Sequence, residues 1–217
     1  MRQFSLRPTS VGLSLLALLL LMASPARTQS EEPIGSVAAI VGQGTILRQG
    51  RVGPEPLAVR TPVFQQEIIE TAAASKVAIT LTDGTAISLG ERSRLELTHF
   101  SHEARQQTYT ARLRILSGLF RTIVRKLTPQ SVFEVGTPTA VAAIRGTDLM
   151  GEVTADSTAI VVLDGTVMVS HARPGFDGPV TLIQGMGTTV KGDEPPSAPK
   201  RWSDSRIEAL RTATAVP

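Results

Sequence analysis

Three groups of side chains in the sequence are of types that chemistry uses. His99-Phe100-Ser101-His102-Glu103 sets two imidazoles and a carboxylate within five residues, the raw material of a metal site. In a strand, however, residues three apart point to opposite faces, so the two rings converge only in a helix or a turn. No HExxH pattern is present, and without cysteine there is no thiolate ligand. The run therefore reads as a solvated loop. Asp83, Asp148 and Asp164 form the second group, carboxylates for acid–base work. Two of them open Asp-Gly pairs, Asp83-Gly84 and Asp164-Gly165, where aspartate is at home because its side chain bonds its own backbone. No G-x-S-x-G elbow occurs. Gly42-x-Gly44 and Gly185-x-Gly187 lack the Lys-Ser/Thr of a phosphate loop. No catalytic, cofactor-binding or metal-binding residue is assigned.

The third group is arginine. Arg145 ends the small, apolar run Val141-Ala142-Ala143-Ile144 and precedes Gly146-Thr147. Such a position predicts partial burial, which a guanidinium tolerates only with a carboxylate or several carbonyl partners. The structural expectation is an internal ion pair or carbonyl clamp that locks the corner, and Arg145→Ala should then lower thermal stability before it touches any binding. The functional counterpart is an anion-binding arginine at a domain edge. Arg112 and Arg114 alternate with Leu113 and Ile115; after a Ser117-Gly118 turn come Arg121, Arg125 and Lys126. Alternation of this kind is what a half-buried strand pair produces. In an envelope compartment Arg112, Arg114 and Arg121 would also form a weak face for an anionic partner, either lipopolysaccharide phosphates or an acidic protein. The aromatics, Trp202 among them, are scattered singly, unlike the grouped platforms that stack sugars or bases.

The elements that position these residues begin after the N-terminus. Arg2 and Arg7, the apolar stretch Val11 to Ala23 and the small residues of Ser24-Pro25-Ala26 read as a secretory signal peptide, residues 1–26, cut near Ala26–Arg27. The apolar stretch is shorter than the roughly 20 residues that span a bilayer, so no stable membrane insertion is expected after cleavage. The 217-residue chain carries 22 Lys and Arg against 19 Asp and Glu. Arg2 and Arg7 leave with the signal, so the remainder is close to neutral and gives no support to a nucleic-acid partner. An exported chain without cysteine must be held by packing rather than disulfides.

From Ile34 to about Lys191 short β-type runs are punctuated by glycine, and no apolar helical stripe crosses 75–170 without meeting Gly or Asp-Gly. The expected class is all-β, a domain over 34–192 followed by a Pro-rich linker and short helical tail over 193–217. Ala78-Ile-Thr-Leu-Thr-Asp-Gly-Thr-Ala-Ile-Ser88 echoes Ala159-Ile-Val-Val-Leu-Asp-Gly-Thr-Val-Met-Val169. A three-residue loop with left-handed Gly84 pairs Ile79 with Ile87 and Val77 with Leu89, keeping apolar residues on one face. The same loop at Gly165 would pair Val161 with Val167 and Ala159 with Val169. Stacked hairpins of this kind predict either a β-solenoid or a two-sheet roll. In the tail, Ser203 is placed to cap a short helix, with Trp202 and Ile207 as a hydrophobic staple.

These residues resemble the FecR-like domain of periplasmic iron-citrate sensor regulators. Gly35-Ser36-Val37 with the following Val41-Gly42 is similar to the family's opening strand. Thr71 with Ser75 to Leu89 is similar to its threonine, serine and Asp-Gly-Thr block. Phe133 to Thr147, with Thr137, Pro138, Arg145, Gly146 and Thr147, resembles its most specific signature, and Thr158 to Val169 the strand and turn that follow. The resemblance spans roughly 35–190. Gln66-Glu67 stands where the family has Gly-Asp. A typical member carries a cytoplasmic anti-sigma segment and an uncleaved membrane helix ahead of this domain; here a cleavable signal precedes it. The resemblance thus implies a non-enzymatic, exported β domain in the periplasm that binds a protein partner or regulates a signal. The alternative is a scaffolding envelope component. It implies neither a cofactor nor iron or citrate binding.

Overall fold

The computed structural model describes residues 32–103, 108–125, 128–176 and 178–217. Residues 1–31, which include the stretch 1–26 expected from the sequence to be a signal peptide, and Lys126 lie outside the described residues, as does the side chain of His102.

Among the described residues the chain forms strands and one helix near its C-terminal end. The first sheet contains β1 (Gly35–Val41), β4 (Pro62–Val63), β6 (Lys76–Leu81), β7 (Ala86–Leu89), β9 (Thr108–Ile123), β12 (Asp148–Val153), β13 (Ser157–Asp164), β16 (Met186–Lys191) and β17 (Lys200–Arg201). Its spatial order is β4–β1–β6–β7–β9–β12–β13–β16–β17. The second contains β2 (Gly44–Leu47), β3 (Glu55–Pro56), β5 (Ile68–Thr71), β8 (Arg94–Glu103), β10 (Val132–Gly136), β11 (Ala140–Ile144), β14 (Thr166–His171) and β15 (Val180–Ile183). Its order is β3–β2–β5–β8–β9–β10–β11–β14–β15. Only β9 with β10 is parallel. The all-β expectation holds.

One core lies between the sheets. Ile79, Leu89, Ile160 and Val162 enter it from the first, and Ile69, Leu95, Leu113, Val135 and Ile144 from the second. Alternation along each strand sends every second residue inward, as the period of two requires.

Strand β9 joins the sheets. Its odd-numbered residues Ala111, Leu113 and Ile115 are buried in the second sheet, then its even-numbered Phe120 and Thr122 in the first. The parity flips at a bulge, because Arg94 faces Ser117 while Leu95 faces Ile115. Gly118 sits at the crossing with φ +94°, and a Cβ there would lie 2.6 Å from the Cβ of Ser93 and closer still to its Oγ. Ser117-Gly118 therefore bends a continuous strand instead of reversing it, which corrects the strand pair expected from sequence.

The two Asp-Gly-Thr echoes fold differently. The first is the expected hairpin: Val77 pairs with Leu89 and Ile79 with Ile87, and Gly84 has φ +83°. At the second, β13 stays in the first sheet and β14 passes to the second, so Val161 pairs with Met150 and Gly187, not with Val167. The physical reason lies in burial. In β6 only alternate residues are buried, whereas Thr158 to Val162 of β13 are buried without a break. A strand covered on both faces has no solvent side to set a hairpin register.

The second cover is the C-terminal helix α1 (Asp204–Thr214). Trp202 and Leu210 pack on Met150, Ala159 and Val161 of the first sheet's outer face, with Leu119, Leu163 and Ile207 around them. Ser203 caps the helix, its Oγ accepting from the Arg206 N–H, and the Arg206 guanidinium lies 3.6 Å from the Trp202 ring centroid. Lys76 Nζ donates to the Thr212 and Ala215 carbonyls at the other end. The linker is itself tied down: Ser197 N–H donates to Thr189 O, and Thr188 Oγ1 donates to Ser197 O.

Among the described residues, the most buried carboxylate in an ion pair is Glu67, which is 4% exposed and pairs with Arg48. Arg48 also bonds Glu55 and the Pro62 carbonyl, and Glu67 accepts from the Phe64 N–H at 2.8 Å. Removing the guanidinium takes the ion-pair partner from a buried carboxylate, so Arg48→Met should destabilise the chain by about 3 kcal/mol. Trp202→Ala should cost about 3–5 kcal/mol through the cavity it opens. Urea unfolding followed by far-ultraviolet circular dichroism measures both.

Candidate functional site

Two corners meet at one end of the sheets. Arg145-Gly146-Thr147 carries the chain from β11 to β12, and Asp164-Gly165 carries it back from β13 to β14. Gly165, at φ +89°, has the Gly146 carbonyl where its Cβ would be, 2.8 Å away, and Thr147 Oγ1 at 3.0 Å. Any side chain there would push the corners apart. Thr147 Oγ1 donates to Thr166 O at 3.1 Å, and Val124 N–H donates to Thr147 O at 2.9 Å.

The opposite end of β11 is fixed by buried hydroxyls. Thr137 Oγ1 and Thr139 Oγ1 bond Thr158 Oγ1 at 2.7 and 2.8 Å. Thr137 Oγ1 also accepts from the Ala140 N–H, and Thr139 Oγ1 donates to Val190 O. This makes Thr137 and Thr139, on either side of the exposed Pro138, a buried clasp between the β10–β11 turn and strands β13 and β16. Thr71 and Ser93 do the same in the first half, where Ser93 Oγ bonds both the N–H and the carbonyl of Leu119.

Arg145 does not behave as its surroundings suggested. It is exposed, and among the described residues it has neither an ion pair nor a hydrogen bond. The strand ends at Ile144, which points into the core, so the next side chain turns outward. The internal clamp expected there is replaced by Arg48–Glu67. The signal that could have located that pair is the Gln66-Glu67 of the family's Gly-Asp position, a carboxylate beside the apolar β5.

The proposed basic face is also corrected. Arg112 and Arg114 project from the second sheet but Arg121 from the first, so the three share no face. Each has a carboxylate: Arg112 with Glu134 at 2.9 Å, Arg114 with Glu96 at 3.4 Å and Arg121 with Asp148 at 2.6 Å. The two hydrogen bonds to Asp148 raise the Arg121 guanidinium above its ordinary value against partial burial. Opposite charges directly across strands are what a sheet surface selects. Of the aspartates, Asp83 accepts from the N–H and hydroxyl of Thr85, as a turn residue does; Asp164 is exposed. His171 Nε2 faces the Gly192 carbonyl at 2.8 Å and its Nδ1 accepts from the Arg173 N–H, a clasp distant in sequence from His99.

What the corners do create is an open groove on the second sheet, about 610 Å³, running over β10, β11 and β14. Val132, Ala143, Met168 and Thr181 line it, with Arg145 at one side. Val132 and Met168 are 40% and 49% exposed.

The FecR protein family model matches residues 67–168, from Glu67 to Met168. Over those residues the chain is similar to a FecR domain. No curated protein matched the sequence. Two crystal structures of a candidate anti-sigma factor from Parabacteroides distasonis share the fold, each with a TM-score of 0.55 and 16% identity. The alignments cover 66% of this chain and 63% and 64% of those chains.

The hydroxyl clasp and the exposed arginine call for opposite outcomes. Thr158→Val should cost about 1–2 kcal/mol, since two buried hydroxyls lose a partner. Arg145→Ala should leave stability within about 0.5 kcal/mol of the parent. Paired thermal melts of the two variants read this directly, and a large loss in Arg145→Ala would restore the internal clamp.

Proposed function

We propose that this chain is an exported FecR-domain protein of the bacterial cell envelope that regulates a signal by binding another protein, without catalysis. The observation that carries the reading is the FecR match over 67–168. The fold shared with candidate anti-sigma factors supports a regulatory role, and the N-terminal sequence supports export to the periplasm. The exposed apolar groove of the second sheet supports protein contact, because such patches on single chains are commonly binding surfaces. In this reading residues 1–26 leave on export and Thr137, Pro138, Gly146, Thr147, Gly84 and Gly165 hold the scaffold.

Two measurements test it. N-terminal sequencing of the chain purified from periplasm should begin at Arg27. Chemical cross-linking in intact cells should trap one discrete protein adduct. A chain that starts at Met1 in the cytoplasm would overturn export, and one that yields no protein adduct and sediments with peptidoglycan would overturn the regulatory reading in favour of a scaffold.

A further inference from the structure

The outer face of the second sheet carries its side chains in rows. Strand pairings put Arg112, Glu134, Ala143, Met168 and Thr181 side by side in one row. The next row, one residue past the last β11 pair, holds Val132, Arg145, Thr166 and Ile183. The arginines within this sheet's strands are matched: Arg94 has Glu70 at 2.6 Å, and Arg112 and Arg114 have the partners given above. Arg145 alone in these two rows is a cation without a carboxylate among the described residues, and Asp164 across the corner makes no ion pair with it. Around it are the exposed Val132, Met168 and Ile183, the last 58% exposed. The floor between them is small: Ala143, Gly146, Gly165 and Thr166.

We infer that this groove is a docking site for an extended peptide segment of the partner, with an Asp or Glu side chain on Arg145 and a large apolar side chain beside Met168. The inference rests on the protein-binding reading above and names its surface and chemistry. Charge complementarity decides the class of occupant. A nucleic acid or anionic membrane is held by many cations, each worth a modest increment. Here one unpaired guanidinium stands among apolar and small residues, and the adjacent row already holds its carboxylate against Arg112. A single carboxylate beside an apolar group is what fits. The size agrees: from β10 to β15 is three strand spacings, about 14 Å, the length of about four extended residues. Alternate side chains of such a segment stand about 7 Å apart on one face, enough to reach from Arg145 toward Met168. The planar guanidinium favours a carboxylate it can grip with two N–H groups, which lysine cannot do.

The test is a displayed random nonapeptide library panned on the mature chain, with counter-selection on Met168→Glu. Enriched peptides should carry Asp or Glu two residues from a large apolar residue. In fluorescence polarisation their binding should weaken roughly fivefold or more in Arg145→Ala and partly recover in Arg145→Lys. Replacing the peptide carboxylate by its amide should cost the same factor in the parent chain and nothing further in Arg145→Ala. Peptides without a carboxylate, or equal binding by Arg145→Ala with an unchanged melt, would overturn the site. So would sedimentation showing a dimer that Met168→Glu dissolves, since a second copy would then fill the groove. Capture of the cellular partner undiminished in Arg145→Ala and Met168→Glu would also remove the groove while leaving the protein-binding reading intact.

Discussion

The sixteen residues of β9 belong to both sheets, and the change of sheet occurs where Gly118 lies against Ser93. The close approach and the bulge at Leu116 together shift the inward parity of the strand by one residue. Without that shift, Phe120 and Thr122 would face solvent while Arg121 entered the core. The Ser93 hydroxyl holds the crossing by bonding both backbone groups of Leu119, and Thr71 holds Ser93 in turn. Four strand pairings converge on β9. β8 and β10 flank the first half of β9, and β7 and β12 flank the second, so the halves of each sheet are registered against one strand.

The residues that carry the resemblance to the FecR-like domain answer the same need to move between sheets. A hairpin that stays in one sheet needs only its turn, as at Asp83-Gly84. A chain that leaves one sheet for the other must turn its backbone without steric bulk. Two such departures are stacked at one end, with Gly165 on the carbonyl of Gly146. At the other end the Thr137–Thr158–Thr139 cluster satisfies buried polar groups that would otherwise be costly. Threonine suits this role because its methyl packs in the core while its hydroxyl bonds. The signature Thr-Pro-Thr and Arg-Gly-Thr runs are thus largely a record of fold geometry. Arg145 is the exception, since nothing in the corner uses its charge.

Strand content, the hairpin at 78–88 and the capped helix with its Trp202 were legible in the sequence, because each rests on neighbours close along the chain. The second echo was not, because Asp-Gly-Thr is the same triplet in a hairpin and in a change of sheet. What distinguishes them is whether one or both faces of the preceding strand are covered. The unbroken apolar run of Ala159 to Leu163 carried that signal, but the cover, Trp202 and Leu210, lies some forty residues further on. The arginines failed for a related reason. Alternation told which of Arg112, Arg114 and Arg121 faced outward, but not that a change of sheet separates the third, nor which carboxylates lie across the strands. A small, apolar strand predicts burial of the residue that follows it, whereas the end of β11 at Ile144 frees Arg145 to turn outward.

The two outer faces then differ in a way that bears on function. Both carry apolar side chains, Met150 and Val161 on the first sheet, Val132, Met168 and Ile183 on the second. The first is covered by the chain's own helix, fixed by Ser203 at its start and Lys76 at its end. Burial of that face contributes to the stability of the fold, on the order of 1.5–3 kcal/mol for each large side chain removed from water. The second has no such cover among the described residues, and its one unmatched charge sits beside the apolar residues instead of apart from them. A surface selected only for solubility would place a carboxylate opposite Arg145, as it does opposite Arg94, Arg112 and Arg114. An unmatched guanidinium on an apolar groove leaves the sheet one carboxylate and one apolar side chain short of the pattern that the rest of it keeps, and a bound peptide can supply both.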